Sequence, residues 1–192
     1  MRLGVIVSGR GSNLEAVLRA KPPGLEPVLV VSNRPGVRAL EVAAAHGVPA
    51  RVLRRGDHGG DPAARDAAIG AAFERAGVEL VLLAGYDQLL RAPYFAAFSG
   101  RTINIHPSLL PAHGGAGMMA MAVHASVLAA GDAETGCTIH EVTPDLDAGP
   151  ILAQSRVAVL PGDDAETLAA RVLVEEHRLL VATLGEIAYG ER

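Results

Sequence analysis

The chain has no tryptophan, and only 3% of its 192 residues are aromatic. Single-stranded nucleic acid is usually gripped by several exposed rings, so a base-stacking role is disfavoured. Cysteine is almost absent. The lone Cys137 excludes an internal disulfide and any cysteine-rich metal site, and it fits a reducing compartment, where it reads as a small buried hydrophobe. Positive charge is not in excess either: 17 Lys and Arg stand against 21 Asp and Glu, a net charge of −4. That balance argues against nonspecific binding to nucleic acid or to an anionic membrane, although one Arg or a helix terminus can still serve a small anion. No stretch reaches the ~18 apolar residues of a membrane span. The opening apolar run breaks at Ser8-Gly9, too short for a signal-peptide core. These absences predict a cytoplasmic protein with no nucleic-acid partner and no membrane partner.

What the chain does have is apolar substance, with 49% hydrophobic residues built mainly on Ala, Val and Leu. That is enough for a sizeable core, and the length favours one domain over residues 1–192. Apolar runs of strand length recur: "LGVIV" at 3–7, "PVLVVS" at 27–32, "ARVL" at 50–53, "VELVLLA" at 78–84 and "TINIH" at 102–106. Between the first four lie Ala-rich segments with helical spacing, at roughly 13–20, 37–46 and 62–76. Strand and helix alternating at this pace, with runs apolar on both faces, predict an α/β fold with a mostly parallel sheet covered by helices.

Beyond Pro107 the pattern changes. A loop over 112–119 leads to a helix near 120–130, and "GCTIHEVT" (136–143) and "PILAQSRVAV" (150–159) read as two strands separated by the turn-forming "PDLDAG". A last amphipathic helix runs from about 164 to 184, capped by Asp163 or Asp164. This half is expected to extend the same sheet.

Three motifs can do chemistry. "VSGRGSNLEA", 7–16, reads as strand, glycine turn, helix. Glycines let backbone approach a ligand, and a helix N-terminus attracts an anion, here a phosphate monoester, since neither the dinucleotide fingerprint nor the P-loop spacing is present. The competing reading is an ordinary turn with Ser12 or Asn13 as helix cap. In "RTINIHPSLLP", alternation sets Asn104 and His106 on one face of a strand just before Pro107 stops it. An amide can donate to a carbonyl oxygen gaining negative charge, and an imidazole moves protons near neutral pH. "TPDLDAGP", 143–150, carries Asp145 and Asp147, either of which could orient that imidazole; spacing does not say which. Of the other histidines, His46 and His58 read as solvent-facing. His113, His124, His140 and His177 show no spacing for a metal, so none is expected. No Gly-x-Ser-x-Gly elbow is present.

Taken as a set, "SGRGSNLEA", "LAGYDQLL", "NIHPSLLP", "GCTIHEV" and "DLDAGPILAQ" resemble the folate-dependent formyltransferases, and the Ser-Gly-x-Gly-Ser-Asn-Leu opening narrows this to the phosphoribosylglycinamide formyltransferase family. The resemblance implies a Rossmann-like formyltransferase fold with helices on both faces of the sheet. It implies a phosphate-binding half at about 1–100 and a catalytic and folate-binding half at about 101–192. It makes Asn104, His106 and Asp147 catalytic, gives Gly11, Ser12 and Asn13 the substrate phosphate, and sets Glu176 near the ribose. Arg65, the backbone of Asp87, Gln88, Leu89 and Leu90, Asn104, and the loop of Thr143, Pro144, Asp145, Leu146 and Asp147 would line the folate pocket. The co-substrate would be 10-formyltetrahydrofolate and the acceptor the amine of glycinamide ribonucleotide, in a monomer or homodimer. Asp87 and Gln88 stand where relatives often carry an apolar residue and a cation, and Ala116 stands where a subgroup version of the loop usually has Lys. Two other readings compete: a formyltransferase with another amine acceptor, and a noncatalytic phosphate- or folate-binding module. An acceptor on tRNA would normally call for a further C-terminal domain.

Overall fold

The first apolar run forms β1 (Arg2–Val7), buried from Leu3 onward as a strand covered on both faces should be. In the computed structural model, which describes residues 1–190, it is followed by α1 (Ser12–Ala20), β2 (Glu26–Ser32), α2 (Arg38–Ala45), β3 (Ala50–Val52), α3 (Pro62–Arg75), β4 (Leu80–Leu83), α4 (Ala92–Ala97) and β5 (Arg101–His106). Then come α5 (Met121–Ala130), β6 (Glu134–Glu141), β7 (Ile151–Ala158) and α6 (Ala165–Ala188). The last two positions of the expected domain, Glu191 and Arg192, lie outside the described residues.

The strands form one seven-stranded sheet in the order β3-β2-β1-β4-β5-β6-β7. β1 pairs in parallel with β2 and β4, β2 in parallel with β3, and β6 antiparallel with β7. The sheet is thus mostly parallel and extended by the C-terminal strands, as the patterning predicts. The order reverses at β1, where β4 takes the side that β2 does not, and loops at the carboxyl ends of strands flanking such a reversal are where open α/β sheets bind ligands.

Contacts within the chain concentrate in two compact units, one from Met1 to Ile103 and one from Asn104 onward. In the first, α1 packs on α2 and α3 on α4. The scarce aromatics gather here: the ring centroid of Phe98 lies 6.0 Å from that of Phe73 and 5.8 Å from that of Tyr94. In the second, α6 packs on α5, β6 and β7 around Val127, Cys137, Val157, Leu168 and Val172. Burial pushes the Cys137 thiol up to about 12, so it is an inert core group.

Several expectations need correction. Neither Ser12 nor Asn13 caps α1; the cap position is Gly11, with no side-chain bond. Asp164 alone caps α6, accepting from the Thr167 N–H at 2.8 Å, while Asp163 binds the Arg171 guanidinium and the Leu160 N–H. At its other end α6 runs past 184, to Ala188. β6 starts earlier than predicted, at Glu134, and stops at Glu141. α4 was hidden by its shortness, six residues with a proline in the first turn. His58 is half-buried rather than solvent-facing, with its Nε2 enclosed. Among the described residues no helix is long and apolar enough to cross a membrane.

Candidate active site

At the carboxyl end of β1 the chain turns through Gly9 and Gly11 into α1. Gly11 has φ 74, a left-handed backbone, and a Cβ there would lie 2.7 Å from the Ala39 Cβ and 2.8 Å from its Cα. Both conformation and space therefore demand glycine. No side chain caps the helix at Gly11, and the positive end of its dipole faces this turn.

The loop after β4 is held from both ends. Asp87 Oδ1 accepts the Ser8 hydroxyl at 2.9 Å and the Asn33 amide at 2.8 Å, and Oδ2 pairs with the Arg34 guanidinium. Burial alone would raise this carboxyl, but the bonds from Asn33 and Ser8 and the charge of Arg34 outweigh it and hold it below its usual value. The acid at the unusual position 87 is thus taken up by the ends of β1 and β2. Gln88 donates to the Asp87 carbonyl at 2.9 Å, Leu89 is exposed and Leu90 is buried. Arg65, expected in the folate pocket, is only 2% exposed and bonded to Asp66 at 2.7 Å. Asp66 in turn accepts from the Arg91 N–H and guanidinium, each at 3.1 Å. Arg65 therefore acts through Asp66 on the 86–91 loop and offers no free cation.

In the second unit, β5 ends with Asn104 and His106 on one face, and His106 is 5% exposed. The loop that follows is tied down by Thr138 of β6: its hydroxyl donates to the Ser108 carbonyl at 2.6 Å and accepts from the Leu110 N–H at 3.0 Å. His106 Nε2 donates to the His113 carbonyl at 2.9 Å. Its Nδ1 faces Asp147 Oδ2 at 3.8 Å, an electrostatic approach beyond hydrogen-bond length. An acceptor thus faces each of its nitrogens. Asp147, at φ 52, accepts the Gly115 N–H at 2.9 Å through the same Oδ2. Asp145 is exposed, with its carbonyl accepting from the Thr143 hydroxyl, so Asp147 is the carboxylate that reaches His106. In the same loop Pro144 is exposed and Leu146 is 47% exposed. Glu176, on α6, is buried.

The sequence reading gave no role to His140. Its Nε2 lies 3.0 Å from Asn104 Nδ2 and 3.6 Å from Asp147 Oδ1, and its Nδ1 lies 2.9 Å from the Glu141 carbonyl. A carbonyl only accepts, so Nδ1 carries the proton; in the neutral ring Nε2 must then accept, and Asn104 supplies an N–H. Burial, the largest influence, holds His140 below the ordinary imidazole value and favours this neutral form. One signal could have found it: in "GCTIHEV" period 2 puts His140 on the face of Thr138. His124, on α5, is likewise held down, first by burial and then by the charge of His106.

Both depressed histidines make stability pH-dependent. Below about pH 6.5 the unfolded chain binds protons that the folded chain refuses, so stability is full above that pH and falls as the pH drops toward the folded values. Urea midpoints should therefore fall between pH 7.5 and pH 5.5, and His140→Gln should shallow the fall; an unchanged slope in that variant would remove His140 from the account.

Among the described residues no group of three or more His, Cys, Asp or Glu could hold a metal ion. What the second unit can do is donate an N–H to an oxygen gaining charge, set an imidazole beside a carboxylate and accept a proton.

The formyl transferase family model matches residues 1–184. The chain is 44% identical over 191 residues to the phosphoribosylglycinamide formyltransferase of Mycobacterium tuberculosis (strain CDC 1551 / Oshkosh), covering 97% of this chain and 85% of that protein. It is 42% identical over 193 residues to the trifunctional purine biosynthetic protein adenosine-3 of Gallus gallus, covering 99% of this chain but only 19% of that much longer relative. The crystal structure of glycinamide ribonucleotide transformylase 1 from Symbiobacterium toebii matches with a TM-score of 0.91 at 39% identity, over 99% of this chain and 88% of that one. The chain belongs to the formyl transferase family, alongside the phosphoribosylglycinamide formyltransferases.

Proposed function

We propose that this protein transfers the formyl group of 10-formyltetrahydrofolate to the amine of glycinamide ribonucleotide, giving formylglycinamide ribonucleotide and tetrahydrofolate, in cytoplasmic purine biosynthesis. The observation that carries this reading is the convergence of Asn104, His106 and Asp147 within one compact unit of a formyl transferase chain.

The folate supplies an activated formyl carbon on a nitrogen leaving group. The acceptor amine forms a bond to that carbon, the carbon–folate nitrogen bond breaks, and one proton passes from the amine to the departing nitrogen. Asn104 uses one N–H on His140 and keeps the other for the formyl oxygen. His106, oriented by the His113 carbonyl, adds a positive charge beside that oxygen. Asp147 balances the imidazolium and takes part in moving the proton, directly or through a water. A preorganised donor of this kind is worth about 10²- to 10³-fold and a positioned acid or base about 10²- to 10⁴-fold.

The first turn of α1, at Gly11, Ser12 and Asn13, holds the acceptor's phosphate, and Glu176 is assigned to its ribose. The folate is assigned to two segments. In the first unit the backbone from Asp87 to Leu90 offers main-chain groups and the 39% exposed Leu89; in the second the loop from Thr143 to Asp147 offers main-chain groups and the 47% exposed Leu146. These features fit the co-substrate, with Arg65 as an indirect support of the first segment.

The test is to mix purified protein with 10-formyltetrahydrofolate and glycinamide ribonucleotide and follow the deformylated folate by absorbance. Turnover that requires glycinamide ribonucleotide supports the reading. Equal turnover without it would mean a hydrolase, and no turnover with it would point to another acceptor or a binding role.

A further inference from the structure

The formyl-transfer chemistry uses the backbone carbonyl of His113 but leaves its side chain unexplained. That ring is gripped at both nitrogens: Nε2 lies 2.6 Å from Asp132 Oδ2 and Nδ1 lies 2.8 Å from Ser126 Oγ. Asp132 follows α5 and Ser126 lies within it, so one helix and its exit hold the ring. His113 also has φ 53, a left-handed backbone that a non-glycine residue keeps only when its surroundings enforce it. The residues beside it are fixed to the site as well. The Ser108 hydroxyl donates to the Ala112 carbonyl at 2.6 Å, and the Gly115 N–H donates to Asp147 at 2.9 Å.

We propose that His113 is a positioning residue: its ring, clamped by Asp132 and Ser126, fixes the peptide carbonyl that orients His106 Nε2. The inference rests on the formyl-transfer reading for its kinetic consequence, though not for its geometry. The Asp132 contact is short and charge-assisted, the kind that sets an orientation rather than merely permitting it. The chain of action runs from Asp132 to the His113 ring, through the His113 backbone to its carbonyl, and from there to His106 Nε2 and the face that Nδ1 turns to Asp147. Ser126 is a strut in this arrangement, held within a helix turn, and not a nucleophile. His113 itself touches no reacting atom. A drift of the carbonyl by about 1 Å is enough to cost roughly 10²-fold in rate, because the imidazole it orients must meet the developing charge.

The test uses Asp132→Ala, whose side chain is 41% exposed, so that truncation leaves the core intact. The variant should lose about 10- to 10²-fold in kcat with both KM values within about twofold. The same substitution in a His106→Ala background should change kcat by less than about twofold, because a residue acting through His106 has nothing left to act on. Asp132→Glu should recover part of the loss. An equal loss in both backgrounds would mean a general structural role and overturn the proposal, as would no loss at all. Should the wild-type protein transfer no formyl group, the formyl-transfer reading fails separately, and nitrogen-15 NMR of the His106 ring decides the positioning role alone. A shifted His106 Nε2–H resonance in Asp132→Ala then upholds it, and an unmoved one overturns it.

Discussion

Asp147→Asn is expected to lower kcat by about 10²- to 10⁴-fold while leaving both KM values within a few-fold. The substitution keeps the shape of the side chain and changes only its charge and one acceptor oxygen. Folding should survive it, because asparagine, like aspartate, tolerates the left-handed backbone that Asp147 adopts at φ 52. What disappears is the negative charge facing His106 Nδ1 at 3.8 Å and His140 Nε2 at 3.6 Å. His106 Nδ1 then faces no counter-charge, and on the proposed route the transferring proton has no carboxylate to pass through. Steady-state kinetics with each substrate varied in turn checks this; a near-normal kcat would take Asp147 out of the mechanism.

His106→Ala should lower kcat over a similar range, about 10²- to 10⁴-fold. Calorimetry of the same variant should show glycinamide ribonucleotide binding with nearly wild-type affinity, because the phosphate is assigned to the Gly11 turn. That turn belongs to the first compact unit and His106 to the second. Loss of all binding by a folded variant would overturn that division of labour. A loss in kcat with binding kept is also what separates this account from a noncatalytic phosphate-binding module, which has no use for an imidazole.

Much of this was legible in the chain itself. Period-2 alternation put Asn104 and His106 on one face of a strand, and β5 ends at His106. The glycine turn before α1 was readable as strand, turn and helix, and the fold adds the reason for Gly11, a left-handed backbone against which Ala39 of α2 leaves no room for a Cβ. The choice between Asp145 and Asp147 was open to spacing and was settled by the fold, since the loop turns one carboxylate toward His106 and leaves the other exposed.

What sequence could not carry was pairing across distance. His140 stands 36 residues from Asn104, and only the fold brings its ring to the amide. The tie from His106 to the His113 carbonyl runs through a backbone atom, which residue type alone does not announce. The burial of Arg65 was hidden for the opposite reason. Arginine seldom lies wholly inside unless paired, and the partner that encloses it, Asp66, is the next residue along α3, where a neighbouring charge is easily read as a solvated face.

The central claim is that one carbon passes from the folate nitrogen to the amine of glycinamide ribonucleotide at Asn104, His106 and Asp147. Carbon-13 NMR with 10-formyltetrahydrofolate labelled at the formyl carbon tests it most directly. The wild-type protein should move the label into a formamide resonance on glycinamide ribonucleotide, and Asp147→Asn should leave nearly all of it on the folate over the same period. Label emerging as formate, or transferred equally fast by Asp147→Asn, would contradict the account.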